Sequence, residues 1–153
     1  MQKPTRKIKV FVDTNVLIAG VHSVTGASAT ILDLCEAQVL QMVLSRQVLI
    51  EADRNFTAKF PQLVARFRQW MRHLTPLMIE DPTPESVEKA ATIVDRKDAP
   101  ILAAAGNANV DFLITLDKRH FLNPKTRQKV MVKVVSPIEF LQSFEKLFLI
   151  QED

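Results

Sequence analysis

The stretch KIKVFVD, residues 7–13, decides the fold. Ile8, Val10, Phe11 and Val12 make an apolar run too continuous for a strand with one solvated face, so the segment reads as a strand buried in a parallel sheet. It ends on an acid, Asp13. Similar brief β-rich runs recur at residues 39–44, 77–79, 110–116 and 130–135, and helical periodicity or loop signals separate each from the next. Strand and helix in alternation predict an α/β fold, a three-layer α/β/α sandwich around a mainly parallel sheet of about five strands.

Working outward, the helices carry physical start signals. Ser136, Pro137 and Glu139 supply an N-cap, a proline in the first turn and a Ser-x-x-Glu capping box, followed by the apolar face Phe140, Leu141, Phe144, Leu147 and Phe148. Thr83 before Pro84 opens another helix, with Val87, Ala90, Ala91 and Val94 at helical spacing. A third runs over residues 45–56 with Val48, Leu49, Ala52 and Phe56 as its buried stripe, and a fourth over residues 60–74 starts at Pro61. The Asp81-Pro82-Thr83-Pro84 cluster reads as a turn, no linker or repeat interrupts the chain, and residues 1–153 fit one domain of ordinary size.

Composition narrows the chemistry. Hydrophobic residues make up 47% and charged residues 24%, which is globular usage. Cys35 is the only cysteine, so an intrachain disulfide and a thiolate metal cage are both excluded, and a reducing cytoplasm is the simplest setting. No stretch approaches the ~20 apolar residues of a membrane span, and the basic start lacks the apolar segment of a signal peptide, so a soluble, unprocessed protein is expected. The formal charge of +3 matters through its placement. Lys3, Arg6, Lys7 and Lys9 precede Asp13 with no acid among them, and six Lys or Arg occur over residues 118–138 with no Asp or Glu.

In open parallel sheets ligands bind beyond the carboxyl ends of the strands. Asp13 and Asp117 each follow a strand and are expected at that one edge. Asp98 stands two residues before Pro100 at a helix start, and Glu51 lies two turns into its helix at the border of the apolar stripe. Four converging carboxylates repel one another in a partly desolvated cleft unless cations neutralise them. Oxygen-only ligands favour hard cations, Mg²⁺ or Mn²⁺, which suit phosphodiester chemistry.

The segments VFVDTNVLIAG (10–20), SRQVLIEADRNF (45–56), DRKDAPILAAA (95–105) and FLITLDKRHF (112–121) resemble the PIN-domain family, in particular the single-domain, VapC-like toxin components of toxin–antitoxin pairs. The resemblance implies an acidic Mg²⁺ or Mn²⁺ site that hydrolyses RNA to a 5′-phosphate and a 3′-hydroxyl. It implies Asp13, Glu51, Asp98 and Asp117 as catalytic metal ligands, with Asn15 and Thr115 supporting them through hydrogen bonds. A cognate antitoxin and a homodimer are implied as well. Relatives often carry a further acid directly after the third motif's Asp, where this chain has Ala99, which leaves one metal or two as alternatives. Asp95 is an outer contributor in that scheme.

Each residue also has a plainer reading. Alone, Asp98 is a helix cap, Glu51 a solvated helix residue, Asn15 a loop residue and Thr115 a strand residue. Cys35 reads as a buried small hydrophobe, Trp70 as core or a dimer contact, and His120 as polar surface that touches RNA at most. The basic runs are solvated surface taken one by one, whereas beside Asp13 and Asp117 they suit phosphates, with Lys7, Lys118, Arg119, Lys125 and Arg127 as the candidates. Two rivals stand beside the ribonuclease: a receiver-like phosphoacceptor domain, which gives Glu51 no role, and a catalytically silent PIN module that binds RNA or protein.

Overall fold

The computed structural model describes residues 6–152, and side chains through Lys146. The described chain runs β1 (Ile8–Val12), α1 (Thr14–His22), α2 (Ala27–Glu36), β2 (Leu40–Ser45), α3 (Arg46–Lys59), a 3₁₀ turn (Pro61–Leu63), α4 (Val64–Leu74), β3 (Leu77–Ile79), α5 (Pro84–Ala90), α6 (Ala99–Asn107), β4 (Phe112–Ile114), α7 (Pro124–Lys129), β5 (Val134–Val135) and α8 (Pro137–Glu152). All five expected strands form, every pairing is parallel, and the sheet order is β3-β2-β1-β4-β5. The chain winds outward from β1 to β3 on one side and then crosses back to β4 on the other. That reversal puts the topological switch point between β1 and β4, where Val12 pairs with Ile114 and the Asp13 amide donates to the Ile114 carbonyl at 3.0 Å.

The central strand is apolar because helices cover it on both faces: Val10, Phe11 and Val12 are wholly inaccessible to solvent. One cluster of buried side chains joins them to Leu17, Leu44, Phe56, Leu113 and Phe140. Cys35 is buried in it, and burial pushes its thiol up to about 12, which leaves it inert at neutral pH.

The capping box of α8 is reciprocal: the Glu139 amide donates to Ser136 Oγ at 3.1 Å, and the Ser136 amide donates to Glu139 Oε1 at 2.9 Å. Phe140 is fully buried, with Leu141 and Phe144 packed beside it. The side chains of Leu147 and Phe148, and all of Lys3, lie outside the described residues. Helix α5 ends at Ala90, and residues 91–93 continue as a turn, so the predicted helical stripe through Val94 is completed by turn geometry.

Three helices, α1, α2 and α7, were not marked by periodicity. Helix α1 is apolar nearly all round, with Val16, Leu17, Gly20 and Val21 buried, and a helix enclosed on most sides has no polar face to set a period. It packs closely on α2. A Cβ built on Gly20 would stand 2.4 Å from Leu32 Cδ1 and 3.2 Å from the Ser28 carbonyl, so only glycine allows this approach without displacement.

Candidate active site

Asp13 is the N-cap of α1, with backbone angles outside the helix and its Oδ1 accepting from the Thr14 amide at 2.8 Å. Its other oxygen, Oδ2, accepts from Thr115 Oγ1 at 2.8 Å and from Asn15 Nδ2 at 3.4 Å. Thr115, itself fully buried, also accepts from the Asp117 amide at 3.1 Å, so one hydroxyl links the acid after β1 to the acid after β4. Asn15 ties the same two loops, since its Oδ1 accepts from the Leu116 amide at 3.0 Å. Asn15 and Thr115 thus both hydrogen-bond the Asp13 carboxylate.

Asp98 occupies the N-cap place of α6 and makes no capping hydrogen bond. Its carboxylate turns toward the end of β4, where Oδ2 lies 3.5 Å from His120 Nδ1 and is buried without a hydrogen-bond partner. The cap reading of Asp98 is thereby set aside. Asp117 opens the turn after β4: its Oδ1 accepts from the His120 amide at 2.9 Å and its Oδ2 lies 3.0 Å from His120 Nδ1. Glu51 reaches the same region from α3, held by Thr14 Oγ1 at 3.2 Å and Gln47 Nε2 at 3.1 Å. Asp13, Glu51, Asp98 and Asp117 all line one open cleft of about 400 Å³. Two of these acids, Asp98 and Asp117, group with His120, which stands beside the cleft, with ligand atoms all within 4.8 Å of one another. Ala99 is fully buried and faces the core instead.

The electrostatics follow from this crowding. Burial pushes the Asp13 carboxyl up to about 6; Thr115 and the Thr14 amide pull it down, while Asp98 and Glu51 add repulsion. Asp98 is also raised, chiefly by burial, with His120 opposing and Asp117 reinforcing the rise. Asp117 goes the other way: burial works to raise it, and the hydrogen bonds from the His120 amide and ring outweigh that effect.

The basic candidates separate. Lys118 and Arg119 are exposed on the turn that begins at Asp117, and Lys125 is exposed near the start of α7. Lys7 does not reach the site. It precedes β1 while Asp13 follows it, and six residues of strand span about 20 Å; its Nζ donates instead to Gln38 Oε1 at 3.1 Å. Arg6 is likewise engaged at that far edge, 2.6 Å from Asp111. Arg127 is committed elsewhere, since its guanidinium grips Glu139 with two bonds of 2.9 Å and, as the leading cause, holds that carboxyl down to about 2. In their place the fold brings Lys59 and Lys97 to the cleft wall, and Arg46 and Arg54 to an adjoining groove that shares Glu51. Spacing along the chain gave no sign of these four. His120, read as polar surface, has a side chain only 22% exposed that lies against Asp117 and Asp98; its i+3 spacing from Asp117, which matches a capping turn, was the available signal.

A family model described as a PIN domain matches residues 9–119. The chain belongs to the PIN domain family. All four acids fall within the matched span, whereas Lys7, Lys125 and Arg127 fall outside it. The PIN domain fold is also evident in solved structures. A protein from Pyrobaculum aerophilum is 16% identical with TM-score 0.58, covering 91% of this chain and 90% of that one. FitAcB from Neisseria gonorrhoeae is 18% identical with TM-score 0.61, covering 84% and 97%. DNA-bound VapBC from Salmonella typhimurium is 14% identical with TM-score 0.62, covering 85% and 98%. No curated protein matches the sequence significantly. Among the described residues of this PIN domain, no single helix is long and apolar enough to cross a membrane.

Thr115 offers a direct check on the bridge between the two strand ends. Thr115→Val keeps the shape and removes the hydroxyl's three hydrogen bonds, to Asp13, Asn15 and the Asp117 amide, and loss of an outer partner of this kind lowers metal affinity by about 10- to 100-fold. Calorimetric Mn²⁺ titration of the variant should show that loss with the fold unchanged.

Proposed function

We propose that this PIN domain is a divalent-metal-dependent endoribonuclease, the toxin component of a toxin–antitoxin pair. The observation that carries the reading is a set of carboxylates from four separate elements lining one cleft at the switch point, with Asp98 Oδ2 buried and unpartnered. A buried carboxylate oxygen without a donor is costly, and a cation is the partner its surroundings leave room for. Hard oxygen donors fit Mg²⁺ or Mn²⁺. Asp13, Asp98 and Asp117 would hold the ion, with Glu51 at the rim. When bound, a divalent cation supplies Lewis acidity toward a phosphate oxygen and a lowered pKa for water.

The chain's own residues do the rest. Thr115 and Asn15 fix the Asp13 carboxylate by hydrogen bonds, so that little reorganisation is needed when charge develops. Lys59 and Lys97 offer positive charge to phosphates flanking the scissile bond, and Lys118 and Arg119 extend it along the neighbouring turn. Lys97→Ala should weaken RNA binding across sequences and reduce the slope of log affinity against log salt by about 0.7, the value for one phosphate contact on a single strand.

The antitoxin partner is inferred from the likeness to VapBC and FitAcB, whose matched chains are covered nearly whole by this one. Homodimerisation and a cytoplasmic site of action belong to the same proposal. A phosphoacceptor domain gives Glu51 no task, whereas here its carboxylate is held at the cleft rim by Thr14 and Gln47. Incubating the purified protein with mixed RNAs is the test. Cleavage with Mg²⁺ or Mn²⁺ that EDTA stops is the expected result, and intact RNA under every metal condition would favour the silent module.

A further inference from the structure

His120 is not one of the acids that the resemblance singles out, yet its ring sits between two of them. Its Nδ1 is 3.0 Å from Asp117 Oδ2 and 3.5 Å from Asp98 Oδ2. Adjacent ligands of an octahedral ion with bonds near 2.1 Å stand about 3 Å apart. His120 Nδ1 therefore stands at about that spacing from each of the two carboxylates, and the ligand atoms of all three residues lie within 4.8 Å of one another. On the ring's far side Nε2 lies 4.0 Å from Asp95 Oδ2, near a carboxylate though longer than a hydrogen bond. Metal-bound histidines commonly direct their second N–H at a carboxylate, which fixes the tautomer and the ring plane.

The backbone keeps the ring there. The His120 amide donates to Asp117 Oδ1, and the Phe121 and Leu122 amides both donate to the Asp117 carbonyl. Phe121, 1% exposed, anchors the turn in the core. A side chain tethered in this way to its co-ligand is not readily swung aside when an ion arrives. The other two histidines are remote in role: His22 packs its ring on Phe60, and His73 is exposed near the end of α4.

We propose that His120 binds the active-site divalent ion through Nδ1, oriented by Asp95, and that this nitrogen donor shifts the site's preference from Mg²⁺ toward Mn²⁺ and later transition metals. Imidazole adds little for Mg²⁺, which prefers oxygen, and more for ions further along the divalent series. The assignment rests on the metal-dependent reading above. Nδ1 binds through its lone pair, so the bound ring is neutral with its single proton on Nε2, toward Asp95.

The experiment is pulsed EPR on the whole protein loaded with Mn²⁺ alone, beside Mn²⁺ and Mg²⁺ affinities by calorimetry. Wild type should show ¹⁴N coupling of a directly bound imidazole, replaced by the ¹⁵N pattern when histidine is ¹⁵N-labelled. His120→Gln should lose it, with Mn²⁺ affinity down about tenfold or more and Mg²⁺ affinity little changed, and Asp95→Asn should weaken Mn²⁺ binding while keeping the coupling. Mn²⁺ bound at a site that Asp13→Asn abolishes, yet without nitrogen coupling in wild type, would overturn the ligand assignment and leave the nuclease reading standing. No Mn²⁺ binding by wild type would overturn both.

Discussion

Asp13→Asn is expected to make the protein inactive and, at pH 8 without metal, more stable. The activity loss should exceed about a hundredfold, the upper end of what removal of a mere outer partner costs a metal site. The stability gain follows from the raised carboxyl. With the folded pKa near 6 and the ordinary value 3.8, the folded state binds the proton more tightly than the unfolded chain does. The stabilisation from the protonated form is complete below pH 3.8 and is lost as pH rises through about 6. Above that, the buried charge costs roughly 3 kcal/mol. Asn keeps the shape and its side-chain oxygen still accepts from the Thr14 amide, while its amide group replaces the oxygen that accepted from Thr115 and Asn15, so those two bonds, about 1 kcal/mol each, are set against the gain. Thermal melts in EDTA should show the variant ahead by several degrees at pH 8, with the gap closing toward pH 4. A variant less stable than wild type at pH 8 would mean that Asp13 is not held at a cost.

A divalent ion should reverse the same strain. Wild type with Mn²⁺ at a hundred times its dissociation constant is expected to gain about 2.7 kcal/mol, or roughly 5 to 10 °C in Tm for a chain of this size. The gain should be larger at pH 8 than at pH 5, because protons compete for Asp13 below about 6. Asp13→Asn should lose most of it. Equal shifts in both proteins would indicate that the ion binds elsewhere.

What could be read from the sequence was whatever depends on neighbours along the chain. The capping box at Ser136 and Glu139 lies within one turn, and the strand run through Val12 announces its own burial. Asp13 and Asp117 were legible because each ends an apolar strand, and parallel strands deliver their carboxyl ends to one edge. Helix α1 was not, since a helix buried on most sides carries no polar face from which a period can be read, whereas α2 exposes Thr30, Asp33 and Glu36 at helical spacing and was legible in principle. His120 was missed for a different reason. Its role depends on Asp98, brought in by a separate helix, and no local pattern encodes that approach. The same holds for Lys59 and Lys97, which come to one cleft wall from α3 and from the loop before α6. Lys7 shows the converse error: it is close to Asp13 along the chain, yet a strand carries the two to opposite edges of the sheet.

The claim beneath all of this is that Asp13, Asp98 and Asp117 share a divalent ion. Anomalous diffraction from a crystal soaked in Mn²⁺ tests it directly. A single strong peak among those three carboxylates is the predicted result, and a metal-soaked crystal with no anomalous density in the cleft would contradict it.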